Sequence, residues 1–175
     1  MLYWLYPDEE ADSAYKIDYE KLAGEGGIGG VIFDIDNTLV PHGEPADEQA
    51  VALFQRLREL SLDVVLLSNN KEPRVKSFAD AVSAKYIYKA GKPGKTGYEK
   101  AMQQMGTDIK TTLFVGDQLF TDVWGAKNLG IHAVLVQPID KKEEIQIVLK
   151  RYLEKIVLAA YRRACKKGGK EFLKQ

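Results

Sequence analysis

Asp34 and Asp36 stand one residue apart where the apolar run Val31-Ile32-Phe33 ends. That run has the length of a parallel strand covered on both faces. In extended backbone the two carboxylates share a face, with Ile35 opposite. Carboxylates so close repel one another, and one pKa rises unless a cation lies between them. In an open α/β sheet the carboxyl ends of the strands are where ligands bind. A metal ion, a shared proton, or both are therefore implied. A carboxylate can also attack phosphorus, splitting one hard hydrolysis into two easier steps through an aspartyl-phosphate. A helix N-cap or Asx turn would account for one of these residues but has no use for the second Asp.

The elements that must position them follow from apolar spacing. Ala50, Leu53, Phe54 and Leu57 predict an amphipathic helix after the loop Pro41–Pro45. Asp63–Leu67 predicts a second apolar strand that stops at Ser68-Asn69-Asn70. Pro73 opens a helix with Val75, Phe78, Ala79 and Val82 on its inner face, and Tyr86-Ile87-Tyr88 is a short strand. Lys92-Pro93-Gly94-Lys95 is a loop, and Tyr98, Ala101, Met102 and Met105 mark a helix ending at Gly106, its Tyr and Met face read as core filler. Thr112–Val115 is a buried strand ending at Gly116-Asp117-Gln118. A short helix follows, carrying Asp122 and Trp124 and closing at Gly130, and then the strand Ala133–Val136. Ile145, Val148, Leu149, Tyr152, Leu153 and Ile156 keep the strongest helical period in the chain. Strands alternating with helices predict an α/β fold, a doubly wound and mainly parallel sheet with right-handed crossovers.

With 175 residues, 45% of them hydrophobic and 29% charged, one soluble globular domain is expected. Its parts would be a lead-in over 1–27, a catalytic core over 28–140, and a C-terminal helix with a basic tail over 143–175. Lysine plus arginine balance aspartate plus glutamate at 25 each, which excludes a globally basic nucleic-acid binder. The lone Cys165 cannot form an internal disulfide and fits a reducing cytosol. Met1–Tyr6 is apolar but has no basic flank and is far too short to span a bilayer, so packing on the domain is its expected role. Six acids between Asp8 and Glu20 face Lys16 alone, and that stretch reads as a solvated lead-in.

Four polar clusters fall past strand ends or in a loop facing them: Asp34/Asp36/Thr38, Ser68, Lys92 and Asp117/Asp122. Singly, Ser68 reads as a turn hydroxyl, Lys92 as a surface charge and Asp117 as an N-cap. Together they supply a nucleophile, an acid/base, a hydroxyl and a cation for phosphoryl oxygens, and carboxylates for a hard metal ion. At these residues the chain resembles the haloacid dehalogenase (HAD) superfamily, a Rossmann-like fold whose signature is Asp-x-Asp-x-Thr, Ser or Thr, Lys, and Gly-Asp-x-x-x-x-Asp. Phe33–Val40, Leu67-Ser68-Asn69-Asn70, Lys92-Pro93 and Val115–Val123 are similar to the YqeG-type phosphatases of subfamily IIIA. These are in turn similar to mitochondrial phosphatidylglycerophosphate phosphatases.

The resemblance implies a phosphoric monoester hydrolase that uses Mg2+, with Asp34 as nucleophile and Asp36 as acid, then base. It implies phosphate binding by Ser68, Asn69 and Lys92. The metal would be held by the carboxylate of Asp34, the backbone carbonyl of Asp36 and Asp117, with Thr38 and Asp122 in support. Many relatives carry a cap domain between these motifs, and here Leu39–Asp63 and Lys71–Gly91 leave no room for one. The capless site should be open and suit a bulky substrate, such as a phosphoprotein, a nucleic-acid end or a phospholipid head group, unless a second subunit covers it. The oligomeric state stays open. The run from Arg162 to Lys174 sets six cations against Glu171 and could contact an anionic membrane or RNA. A cytosolic protein with peripheral membrane contact fits that tail. The rival class is an RNA- or ribosome-associated binding protein that uses the fold as a scaffold.

Overall fold

The computed structural model describes residues 5–140 and 145–168, and side chains of the last helix from 152 to 166. Six strands form one parallel sheet: β1 Glu9–Ala11, β2 Gly30–Phe33, β3 Asp63–Leu67, β4 Lys85–Ile87, β5 Thr112–Gly116 and β6 His132–Val136. Their order is β1-β6-β5-β2-β3-β4, which puts β2 in the middle with β3 and β5 as neighbours. Val31, Ile32 and Phe33 are wholly buried, which is why a purely apolar run, without alternation, occupies that place.

The helices are α1 Tyr19–Gly24, α2 Glu48–Glu59, α3 Glu72–Val82, α4 Lys95–Met105, α5 Trp124–Lys127 and α6 Ile145–Gly168. They cover both faces. Tyr19, Leu53, Phe54, Leu57, Val75 and Phe78 pack with Val31, Phe33, Leu66 and Val115 on one side. Tyr98, Met102, Met105, Ala126 and Tyr161 pack with Ile32, Val65, Leu67 and Phe114 on the other. Each large side chain so buried contributes about 1.5–3 kcal/mol, which anchors both layers to the strands that end at the site. Asp47 caps α2 through Ala50 N–H at 2.8 Å, and Gly106 ends α4 in the left-handed conformation. Between β2 and β3 the chain forms a loop and α2, and between β3 and α4 it forms α3 and β4.

Two stretches differ from the sequence expectation. The acidic stretch from Asp8 is part of the fold rather than a solvated lead-in. Glu9–Ala11 pair with Val134–Val136 as an edge strand, and Ala14, Ile17 and Tyr19 are buried behind outward-facing acids. An edge strand and one helical turn need few apolar residues, so the acids hid them. Leu5 and Tyr6 are buried too, Tyr6 edge-on to Tyr161 at 5.2 Å, while residues 1–4 lie outside the described residues. The second difference is α6. The helix its period predicts is present, but Tyr152, Leu153 and Ile156 of that stripe are exposed, and Glu154, Val157 and Tyr161 face the body.

Candidate active site

The loop after β2 is held by its own backbone. The carbonyl of Ile35 accepts hydrogen bonds from the N–H groups of Thr38 and Leu39 at 3.2 and 2.9 Å, and Asn37 takes the left-handed conformation at φ 63°. Asn tolerates that conformation better than most residues. The tight turn points Asp34 and Asp36 into a cavity of about 340 Å³, lined also by Asn37, His42, Ser68, Asn70, Lys92 and Gln118. A larger cavity of about 690 Å³ beside β1 and α1 holds none of the predicted residues, so size alone does not select the chemistry.

Lys92 is the electrostatic centre. Its ammonium donates to Asp34 Oδ1 and to Asp122 Oδ1, both at 2.7 Å, and all three side chains are buried. Burial works to neutralise Lys92, and the charges of Asp122 and Asp34 reverse that, raising it above the usual lysine range. Burial also pushes the Asp34 carboxyl up to about 7, with Lys92 opposing and Asp122 and Asp36 adding to the rise. Asn69 ties its side-chain amide to the Lys92 backbone, accepting from its N–H at 2.8 Å and donating one N–H to its carbonyl at 3.0 Å. Ser68 Oγ, almost fully buried, accepts from Asn70 N–H at 3.1 Å. Its hydroxyl proton therefore still needs an acceptor.

Asp36 sits in a different environment. Burial works to raise its pKa, but the Gly43 N–H at 2.9 Å and the Arg74 guanidinium at 3.0 Å outweigh that and hold it below the ordinary carboxylate range. Arg74, Asn70 and His42 thus surround Asp36, and sequence reading missed all three. The available signal was Arg74 in the first turn of the helix that follows Ser68, one turn before Phe78, over whose ring its guanidinium lies at 5.7 Å.

Asp34, Asp117 and Asp122 each offer a carboxylate oxygen, all within 4.8 Å of one another. Three buried carboxylates against one lysine, with oxygen donors throughout, fit a hard divalent cation. Thr38 donates to Asp117 Oδ1 at 3.2 Å and so aims it. Asp122 rides on a wide π-type turn, Leu119–Val123, of a kind frequent at functional sites. Its Oδ2 accepts from Gln118 N–H at 3.1 Å, and Glu154 of α6 accepts from Leu119 N–H at 2.8 Å to close the turn. Tyr98 is more than filler, because its hydroxyl reaches the carbonyls of Thr121 and Asp122 at 3.0 and 3.1 Å. The structure thus gathers Asp34, Asp36, Thr38, Ser68, Asn69, Lys92, Asp117 and Asp122 at one edge of the sheet.

Gly116 makes that crowding possible, since a Cβ there would lie 2.5 Å from Asp122 Oδ2. Gly116→Ala should push the carboxylate off Lys92 and Gln118, costing about 1–3 kcal/mol of stability. Gly24→Ala, with open space around it, should change nothing. Melting and phosphatase assays of the pair check this, and normal activity in Gly116→Ala would refute the role given to the close approach.

A HAD-hydrolase-like family model matches residues 89–146. "Probable phosphatase YqeG" of Bacillus subtilis is 35% identical over 90% of this chain and 91% of its own length. The chain belongs to the HAD-type phosphatases. It is a phosphoric monoester hydrolase of that family, whose members use a divalent metal. Phosphatidylglycerophosphate phosphatase 1 of Arabidopsis thaliana, chloroplastic/mitochondrial, is 30% identical over 88% of this chain and 46% of its own length. Among solved structures, the cobalt-bound deoxy-D-mannose-octulosonate 8-phosphate phosphatase YrbI of Haemophilus influenzae aligns at TM-score 0.50 and 16% identity, over 65% of this chain and 80% of that one. That likeness concerns the fold. Among the described residues no helix is long and apolar enough to cross a membrane.

Proposed function

We propose that this HAD phosphatase hydrolyses phosphomonoesters through an aspartyl-phosphate on Asp34. The observation that carries the reading is the buried Asp34–Lys92–Asp122 chain lining the cavity, a carboxylate held beside a cation. Asp34 attacks phosphorus, the bond to the leaving oxygen breaks, and Asp36 protonates that oxygen. Asp36 then takes a proton from water, which attacks phosphorus and frees Asp34. An incoming phosphoryl group adds negative charge beside Asp36, working against the Arg74 ion pair and toward the protonated acid. Lys92 and the Ser68 hydroxyl hold phosphoryl oxygens, and Asn69 serves them by fixing the Lys92 backbone. Asp122 orients Lys92, and Thr38 orients Asp117. Asp34, the Asp36 carbonyl and Asp117 would hold Mg2+, which when bound would supply the positive charge that lets a phosphate dianion approach a carboxylate.

The substrate proposed is a phosphate on a bulky carrier, with a phospholipid head group such as phosphatidylglycerophosphate first. The connections between β2 and β3 and between β3 and α4 are too short for a cap domain, which suits a bulky substrate, and the Arabidopsis relative is named for that lipid. A reducing cytosol remains the proposed setting, and the basic run from Arg162 the proposed contact with an anionic surface.

A substrate panel with Mg2+ tests the proposal: phosphatidylglycerophosphate, phosphopeptides, nucleotides and sugar phosphates. Turnover should vanish in chelator and return with Mg2+. Ca2+ should restore little, since a larger ion accepts more ligands and would take both oxygens of Asp34. Full turnover in chelator overturns the metal assignment, and preference for sugar phosphates overturns the lipid one.

A further inference from the structure

Helix α6 carries its best apolar face outward. Tyr152, Leu153 and Ile156 are 67, 55 and 68% exposed, although their spacing is that of a core stripe. At 3.6 residues per turn they share one side of the helix with Ala159, Ala160 and Arg163, and Lys155, Arg162 and Lys166 line its border. Lys155, Arg163 and Lys166 are exposed, Lys155 lies over the Tyr152 ring at 5.3 Å, and Arg162 is held by the Glu10 carboxylate of β1 at 2.8 Å. Glu154, the one acid between 152 and 166, is turned inward onto the Leu119–Val123 turn. The inner face holds the helix in place through Glu154, Val157 and Tyr161. Its exposed face is therefore not a result of loose docking.

We propose that this face of α6 docks on an anionic lipid bilayer, with Tyr152, Leu153 and Ile156 entering the interfacial region and Lys155, Arg163 and Lys166 meeting lipid phosphates. Large apolar side chains bordered by cations are the pattern of helices that lie in a membrane interface. A second copy of the chain fits poorly, because a two-fold contact would press a patch bearing Lys155, Arg163 and Lys166 against an equally cationic patch. RNA would engage the cations and could stack on Tyr152, but it gives Leu153 and Ile156 nothing to do. The sequence beyond, which lies outside the described residues, adds Lys170 and Lys174 against Glu171 alone. This gives the proposed anionic contact an apolar component and a place on the fold. It holds whichever phosphoester the site takes, since Tyr152, Leu153 and Ile156 face away from the cavity that Asp34 and Asp36 line.

Co-sedimentation of the full chain with vesicles tests it. Vesicles of phosphatidylcholine containing about one third phosphatidylglycerol should bind the protein, and pure phosphatidylcholine should not. The triple variant Tyr152→Ser, Leu153→Ser, Ile156→Ser should bind the mixed vesicles at least about tenfold more weakly, at low and high salt alike. Arg163→Glu with Lys166→Glu should also bind more weakly, with the difference shrinking as salt rises. Both variants should hydrolyse a small soluble phosphoester at the wild-type rate, so a dead catalytic site would be recognised separately. Three results overturn the proposal: no wild-type binding to the mixed vesicles, unchanged binding by the triple variant, or a wild-type dimer in sedimentation that the triple variant makes monomeric. The wild-type vesicle comparison needs no variant, so a misfolded triple variant leaves the proposal open to refutation.

Discussion

Asp34→Asn should stop phosphomonoester hydrolysis, with a fall of at least about 10⁴-fold, or about 5.5 kcal/mol in the barrier. The amide keeps the shape of the carboxylate and removes the attacking charge. Stability should move the other way. The Asp34 carboxyl is pushed up to about 7 by burial, above the ordinary 3.8, so the folded protein holds a proton there that the unfolded chain has released. More protons bound in the native state mean that this group's contribution to stability falls as pH rises from 3.8 through about 7. Asn has no proton to lose. In metal-free buffer the variant should therefore melt at or above the wild-type temperature at pH 8, and its advantage should shrink toward pH 5. Activity within tenfold of wild type sinks the nucleophile, whereas a lower melting temperature at pH 8 shows that the carboxylate holds the site together.

The residues brought together at the site were legible because they are rare in their places. An apolar strand that stops at two acids, another that stops at Ser68, and a third at Gly116-Asp117 have few other reasons to coexist. Parallel topology then forces their ends to one edge of the sheet. What escaped was partner choice. Nothing in the spacing of Arg74 says that its guanidinium turns toward Asp36, because a first-turn arginine is ordinarily a solvated charge. Asn69, which the resemblance groups with Ser68 and Lys92 in phosphate binding, also holds the Lys92 backbone through its amide, a contact that no spacing in the sequence announces. Tyr98 passed for filler because its ring is buried, and only the position of the Asp122 carbonyl shows what the hydroxyl does.

Periodicity alone does not settle burial at either end of the chain. In the acidic stretch around Glu9 it is weak although the residues belong to the sheet, since an edge strand packs against one neighbour. In α6 it is strong although the stripe faces outward, because the buried anchors Glu154, Val157 and Tyr161 are a mixed set with no apolar signature. A stripe records that a face avoids water, without saying which partner removes the water.

Lys92→Met should cost about 3–5 kcal/mol of stability, the cost of leaving a buried charge without its partner. Met fills the space of the lysine stem and brings no charge, leaving Asp34 and Asp122 facing each other with Asp117 nearby. For a chain of this size the melting temperature should drop by roughly 10 °C. The loss should depend on pH. Without the ammonium, nothing opposes the burial that raises the Asp34 carboxyl, so the native state holds that proton to higher pH and stability falls as pH rises. The variant should recover at pH 5 and be weakest at pH 8, more steeply than wild type. Divalent metal should recover it too, since a cation bound at about 100 times its dissociation constant adds about 2.7 kcal/mol, and the variant's site attracts it more strongly. Turnover should stay down by about 10²–10³-fold, because the metal neutralises the carboxylates but does not replace the donor to the phosphoryl oxygens. Lys92→Met with Asp122→Asn should regain much of the melting temperature and none of the activity. Melting curves across pH and Mg2+ for wild type and both variants decide the matter. If Lys92→Met melts like wild type at pH 8 in chelator, the ammonium is not what neutralises this cluster, and its place in the proposed mechanism falls with that result.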